Sequence, residues 1–367
     1  MRTIRVVVTD DSAVIRRLIC NVINAEDDMT VVGTAENGRV AVARARELRP
    51  DVMTLDVEMP EMNGLEALTV IRKNHPSIPV VMFSTLTVAG GHATLDALSL
   101  GAADFVTKPS GTDGLAAALG RIRAELVPKL RELGSAARTP RVPAAPRPAT
   151  RPATGQPARP VNSRVDCVVI GISTGGPRAL EALVPNIPAG FPVPILAVQH
   201  MPPVFTALLA ERLDRSASIR VSEAAPGDVI EAGHLYIAPG GHHLVVTGPR
   251  SRSVVALSDA PPENSCRPAV DVLFRSAVER WGGHVLGVVM TGMGADGAGG
   301  ARGIVDAGGR VVVQDRATSV VWGMPGAVAH AGLADRELAL DDIAGEIIRR
   351  VDAGRGASSL PLSGGRR

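Results

Sequence analysis

Ser173 stands in the run VVIGISTGGP, where an apolar segment gives way to glycines and a proline. A hydroxyl in such a turn can cap the helix that follows, help backbone amides cradle a phosphate, or act as a nucleophile. GISTG fits the G-x-S-x-G pattern of a nucleophile elbow, but the pattern is short. No Lys-Ser/Thr pair follows, so the run is no Walker loop, and its spacing does not match G-x-G-x-x-G. Two further residues bear on the choice. His200 follows the apolar run PILAVQ, and Asp296 lies in the glycine-rich stretch after HVLGVVM. If each apolar run is a strand of one parallel sheet, all three side chains reach one crevice. Ser173 is then the nucleophile, His200 the general base and Asp296 the carboxylate that orients the imidazole. A backbone N–H within Thr291–Ala295 would stabilise an oxyanion. The chain order Ser, His, Asp departs from the Ser, Asp, His order of α/β-hydrolases.

A second constellation lies near the N-terminus. Asp10 and Asp11 end one apolar run, Asp56 ends another, Ser84 a third, and Lys108 a fourth. Each alone reads as a helix cap, a turn former or a solvated charge. Together at successive strand ends they crowd three carboxylates into one crevice, where they repel and raise each other's pKa. A hard divalent cation, Mg²⁺ above all, relieves that repulsion. The same arrangement suits transfer of a phosphoryl group onto a carboxylate oxygen. Lys108 can neutralise the added charge and Ser84 can donate to a phosphate oxygen.

These residues need strands to hold them. Before residue 134, IRVVVT, MTVVGTA, DVMTLD, IPVVMFS and ADFVTK alternate with helix-length amphipathic segments such as VIRRLICNVINAE and GRVAVARARELR. That alternation predicts a five-stranded, doubly wound parallel α/β sheet. From Gly134 to Arg164 proline recurs every few residues among alanines and arginines, without acidic or aromatic residues. No core can form there, and the segment reads as a semi-extended linker. Beyond it VDCVVIG, PVPILAVQ, GHVLGVVM and GRVVVQ predict a second parallel α/β sheet. HLYIAPGGHHLVV predicts an antiparallel hairpin turning at Pro239-Gly240-Gly241. The divisions fall at residues 1–125, a helix end and linker at 126–163, a second domain at 164–350, and a flexible tail at 351–367.

Composition narrows the classes. A chain of 367 residues favours two domains. Aromatics are only 2% against 45% apolar residues, so aliphatic side chains must build the cores, as in parallel α/β folds. A formal charge of +2 gives no reason to expect nucleic acid as a partner. The three cysteines are far apart and lack metal-ligand spacing, which reads as reduced thiols in a cytoplasmic protein. The N-terminal run passes straight into Asp10 and Asp11, unlike a signal peptide, and no apolar run is long enough to insert in a bilayer. His242 and His243 are neighbours on an expected strand and point to opposite faces, so they share no metal.

TDDSAVIRRL, TLDVEMPEMNGLEAL, VVMFSTLT and GAADFVTKP resemble a response-regulator receiver domain. The resemblance implies a flavodoxin-like (βα)5 fold and Asp56 as phosphoacceptor, charged by a sensor histidine kinase. It also implies Mg²⁺ held by Asp10, Asp11, Asp56 and the Glu58 carbonyl, with Ser84 and Lys108 as switch residues. GISTGGP, AVQHMPP, YIAPGGHHL, RPAVDVLFRSA, TGMGADGAGG and WGMPGAV resemble the catalytic domain of the chemotaxis response-regulator protein-glutamate methylesterases. That implies Ser173, His200 and Asp296 as a triad, the Met293 amide in the oxyanion hole and Thr174 lining the site. The implied substrate is the glutamate γ-methyl ester of chemoreceptors, with deamidation of selected glutamines as a companion reaction and no cofactor for the esterase chemistry. Cys266, before Arg267-Pro268, departs from the residue the family leads one to expect.

Overall fold

The computed structural model describes residues 3–108, 115–136, 164–249 and 252–356. The chain divides into two compact units, Met1–Val142 and Pro143–Arg367. Of the linker expected from Gly134 to Arg164, residues 137–163 lie outside the described residues, and 134–136 belong to the helix before it.

In the first unit β1 (Ile4–Thr9), α1 (Ala13–Asn24), β2 (Met29–Ala35), α2 (Gly38–Leu48) and β3 (Val52–Asp56) follow one another. They are succeeded by α3 (Gly64–Asn74), β4 (Val80–Ser84), α4 (Val88–Ser99), β5 (Asp104–Thr107) and α5 (Leu115–Ala136). The strands are parallel in the order β2-β1-β3-β4-β5, the doubly wound arrangement the sequence predicts. Every residue of β3 and β4 is buried, so these strands carry almost continuous apolar runs. Short polar residues start the helices. Ser12 caps α1, Asn37 caps α2, Thr87 caps α4, and Asn63 forms a capping box with Glu66 on α3. The helix α5 runs through Pro128 to Ala136, because Leu126, Val127, Leu130 and Leu133 are buried along one face. That burial outweighs the hydrogen bond the proline removes.

The second unit begins with β6 (Cys167–Ile172), α6 (Gly176–Leu183), β7 (Ile195–Gln199), α7 (Phe205–Asp214), β8 (Arg220–Glu223) and β9 (His234–Ile237). Then come β10 (His243–Thr247), β11 (Val254–Ser258), α8 (Val270–Trp281), β12 (Val285–Val289) and α9 (Ala298–Asp306). It closes with β13 (Arg310–Gln314), α10 (Gly323–His330), β14 (Arg336–Leu338) and α11 (Leu340–Gly356). Seven parallel strands lie in the order β14-β13-β12-β6-β7-β9-β8. The chain leaves β6 toward β7 on one side and later returns to β12 on the other. The carboxyl end of β6 is therefore the topological switch point, where open α/β sheets bind ligands.

The antiparallel pair is present, but its members differ from the expected ones. His243–Thr247 pairs with Val254–Ser258 in a separate two-stranded sheet, whereas His234–Ile237 joins the large sheet in parallel. The Pro239-Gly240-Gly241 turn thus passes the chain between sheets. A Cβ on Gly240 would lie 2.3 Å from the Pro202 carbonyl carbon, so the turn is pressed against the chain beyond β7. Residues 351–356, expected as tail, continue α11, with Val351 buried on the same face as Ile343 and Ile347.

Gly64 shows how tightly the first unit holds its acidic crevice. A Cβ there would sit 2.1 Å from the Asp56 carbonyl oxygen. Backbone cannot swing aside as a side chain can, so Gly64→Ala should destabilise this unit by about 1–3 kcal/mol. Calorimetry of the full chain should show an earlier unfolding transition; an unchanged thermogram would refute the packing argument.

Candidate active site

Ser173, His200 and Asp296 all lie beyond the carboxyl ends of central strands. Ile172 pairs with Gln199 and Gly171 with Val289, so β6, β7 and β12 end almost in line. Ser173 and His200 are the next residues on adjacent strands, and the His200 N–H donates to the Ile172 carbonyl at 3.1 Å.

Asp296 is 2% exposed, and a buried carboxylate must be compensated. Its Oδ1 accepts from the Asp271 N–H at 3.0 Å, the Gly297 N–H at 2.9 Å and Asn264 Nδ2 at 3.0 Å. Its Oδ2 accepts from the Val270 N–H at 2.7 Å. Val270 and Asp271 open α8, so the carboxylate also faces the positive end of that helix. Oδ2 takes His200 Nε2 as well, at 2.8 Å. Burial pushes the Asp296 pKa up, but the His200 hydrogen bond and charge and the amides outweigh it and leave it below the ordinary carboxylate value. Burial likewise opposes charge on His200. The Asp296 hydrogen bond, then the Cys266 contact, overcome that and raise the imidazole to about 9. With Nε2 committed to Asp296, only Nδ1 remains for proton exchange.

The Ser173 turn is fixed by its backbone. Its N–H donates to the Thr291 carbonyl at 3.0 Å, and its own carbonyl accepts from Gln199 Nε2 at 3.0 Å. Gln199 Nε2 also donates to the His200 carbonyl at 3.1 Å, so one amide ties the Ser173 loop to the His200 loop. A Cβ on Gly176 would lie 1.8 Å from Gln199 Oε1, and one on Gly292 would lie 2.8 Å from Ser173 Cβ. The Thr291 hydroxyl donates to the Thr174 carbonyl at 2.8 Å, and the Thr291 N–H to Gln314 Oε1 at 2.9 Å. Ser173 itself is partly exposed, and its hydroxyl makes no hydrogen bond among the described residues. Catalytic hydrogen bonds are often loose before substrate arrives.

Met293 is partly exposed and its N–H has no acceptor among the described residues, as an oxyanion donor requires. Thr174 is buried. Met201, Met290 and Met324 are at most 5% exposed, so they belong to the core. His242 and His243 separate as expected. His242 meets Asp259, whereas buried His243 accepts from the Ala269 N–H and donates to the Pro261 carbonyl. Sequence reasoning missed Gln199, Gln314 and Asn264. The first two carried a usable signal, a polar residue ending an apolar parallel strand, as Asp10 and Asp56 do.

In the first unit the acidic residues also converge. Lys108 Nζ lies 2.6 Å from Asp56 Oδ2 and 3.1 Å from Asp10 Oδ2. Burial raises the Asp56 carboxyl to about 6 against the Lys108 hydrogen bond, and burial raises Asp10 too. Burial pulls Lys108 down, but its Asp56 and Asp10 partners win and raise it. Asp10, Asp11 and Asp56 offer oxygens within 4.8 Å of one another. Asp10 Oδ2 is buried without an aligned hydrogen-bond donor, although Lys108 is near. Three hard oxygen donors this close together fit a divalent cation such as Mg²⁺. The Glu58 N–H donates to Asp56 Oδ1 at 3.4 Å. Ser84 Oγ donates to the Gly90 carbonyl at 3.1 Å, so it must rotate to meet a phosphoryl group.

Comparison with known proteins agrees with this division. The family model described as CheB methylesterase matches residues 168–347, and that of the response regulator receiver domain matches residues 6–120. A protein-glutamate methylesterase/protein-glutamine glutaminase of Trichodesmium erythraeum is 46% identical over 96% of this chain and 100% of its own length. One so named from a Nocardioides species is 49% identical over 96% of both chains. The crystal structure of the Thermotoga maritima CheB methylesterase catalytic domain is 42% identical and has a TM-score of 0.50. It covers 50% of this chain and 98% of its own.

If Asp296 holds the imidazole charged, Asp296→Asn should lower the His200 pKa by roughly one to three units, read by NMR titration of the ring. Cys266→Ser, which leaves the carboxylate in place, should lower it less. An unchanged titration in Asp296→Asn would refute the coupling.

Proposed function

This chain belongs to the two-domain protein-glutamate methylesterase/protein-glutamine glutaminase family, and from that premise we propose that Ser173, His200 and Asp296 carry out its reaction. The substrate is the γ-methyl ester of glutamates on chemoreceptors, and the products are glutamate and methanol. The observation that carries the reading is the His200 imidazole, gripped through Nε2 by a buried carboxylate at the switch point beside Ser173.

Ser173 Oγ attacks the ester carbonyl while its proton passes to His200 Nδ1, the nitrogen Asp296 leaves available. The developing oxyanion meets the Met293 N–H, and Thr174 helps to shape the turn. Collapse expels methoxide, which takes the proton from His200 and leaves as methanol. Water adds to the acyl-enzyme by the same route and releases the carboxylate. A glutamine amide passes through a similar intermediate and releases ammonia, which accounts for the companion deamidation. A ring with a pKa of about 9 is mostly charged at rest, so base catalysis draws on roughly one molecule in a hundred at pH 7.

The first domain, residues 1–125, receives a phosphoryl group on Asp56 from a sensor histidine kinase. Asp10, Asp11, Asp56 and the Glu58 carbonyl would hold Mg²⁺, which offsets charge during the transfer. Lys108 and Ser84 meet the added phosphoryl oxygens, Ser84 after turning from Gly90. Phosphorylation of this domain raises the activity of the second. No helix among the described residues is long and apolar enough to cross a membrane, and the setting proposed is the cytoplasm.

Ser173→Ala should abolish methanol release from methylated receptor membranes while leaving the fold intact by circular dichroism. Retained release would reject the nucleophile. Asp56→Asn should keep basal release and lose stimulation by acetyl phosphate with Mg²⁺; equal stimulation would reject the gating. Because the base form of His200 grows as pH rises, kcat/KM corrected for uncatalysed hydrolysis should climb through neutrality and level near 9. A flat profile would reject His200 as base.

A further inference from the structure

Cys266 stands where it can control the base. Its Sγ lies 3.6 Å from His200 Nδ1, the nitrogen through which the serine proton must pass. The thiol is placed there by a built turn. The N–H of Glu263 donates to the Cys266 carbonyl at 3.1 Å, and the Cys266 N–H donates back at 2.9 Å. Between them Asn264 and Ser265 take left-handed φ angles of 52° and 63°, the signature of a tight two-residue hairpin turn. Asn264 Nδ2 pins the turn by donating to Asp271 Oδ2 and Asp296 Oδ1, both at 3.0 Å. Glu263 is anchored through both carboxylate oxygens by Arg275 of α8, at 2.7 and 2.6 Å.

We propose that Cys266 Sγ and His200 Nδ1 form an inhibitory site for a thiophilic divalent cation, of which Zn²⁺ is the test case. A tetrahedral zinc with Zn–S of about 2.3 Å and Zn–N of about 2.0–2.1 Å sets its sulfur and nitrogen ligands about 3.6 Å apart. That is the spacing already present. The ligand atoms of His200, Cys266 and Asp296 lie within 4.8 Å of one another, but Asp296 is not a ligand. Its oxygens are taken by Val270, Asp271, Gly297 and Asn264 and by His200 Nε2. It serves as the carboxylate behind a metal-bound imidazole, fixing the ring so that Nδ1 faces the thiol. At neutral pH binding releases two protons to solvent, one from the thiol and one from Nδ1 of the charged ring, forms Zn–S and Zn–N bonds, and leaves the remaining positions to water. Neither partner changes oxidation state. The occupied Nδ1 can no longer take a proton from Ser173.

The inhibition rests on the reading of His200 as the base; the metal site does not. Full-length protein stripped with chelator should lose methanol release on titration with Zn²⁺, and Cys266→Ser should need at least about tenfold more metal for the same loss. Co²⁺ reports binding without activity. Wild type and the inactive Ser173→Ala should both show thiolate-to-cobalt charge-transfer absorption, and Cys266→Ser should not. Equal zinc sensitivity in wild type and Cys266→Ser, or no such absorption in wild type, overturns the site. Cobalt absorption in a protein whose metal-free form releases no methanol would keep the site and sink the catalytic reading.

Discussion

A buried negative charge organises the second domain. Asp296 is almost wholly removed from water, and its two oxygens are satisfied by three backbone amides, one side-chain amide and one imidazole. Each donor comes with a structural demand. The start of α8 must abut the loop after β12, the turn at Asn264 must fold back over both, and β7 must deliver His200 from the far side of β6. The imidazole therefore inherits its orientation from an anion that the fold has to stabilise in any case.

The first domain solves a related problem with opposite economy. Asp10 and Asp56 are also buried at strand ends, but Lys108 bridges them and few amides reach them. Their carboxyls are pushed up where that of Asp296 is held down. An anion enclosed by fixed dipoles stays an anion and orients its neighbour. An anion left under-compensated attracts further positive charge, and that suits a site whose charge must change. The two parallel sheets thus place carboxylates at equivalent edges and make of them a fixed support in one domain and a titratable receptor in the other.

Much of this was legible in the sequence because parallel strands are nearly pure apolar runs, so a polar residue that ends one stands out. Asp10, Asp56, Ser84, His200 and the Ser173 turn were all visible in that way. Gln199 and Gln314 carry the same mark, but an amide suggests no reaction chemistry. The hairpin reading of HLYIAPGGHHLVV failed for a different reason. Alternation and a Pro-Gly-Gly turn describe two strands and a reversal, but not whether the strands pair with each other, and that depends on the distant Ile195–Ala197 and Val254–Ser258 segments. Cys266 departs from the family pattern in the sequence, yet its place beside Nδ1 follows from left-handed Asn264 and Ser265 and from a hydrogen bond between Asn264 and a residue 32 positions away. No local pattern encodes such a contact.

The fit of Gly176 against Gln199 bears on how this loop can change over generations. The two positions are separated in the chain but share one volume, since any side chain at 176 would displace the amide that joins the serine and histidine loops. A lineage altering either residue first passes through an intermediate with a collision or a missing tether. Drift is closed at both positions unless they move together, so the pair behaves as a single heritable character.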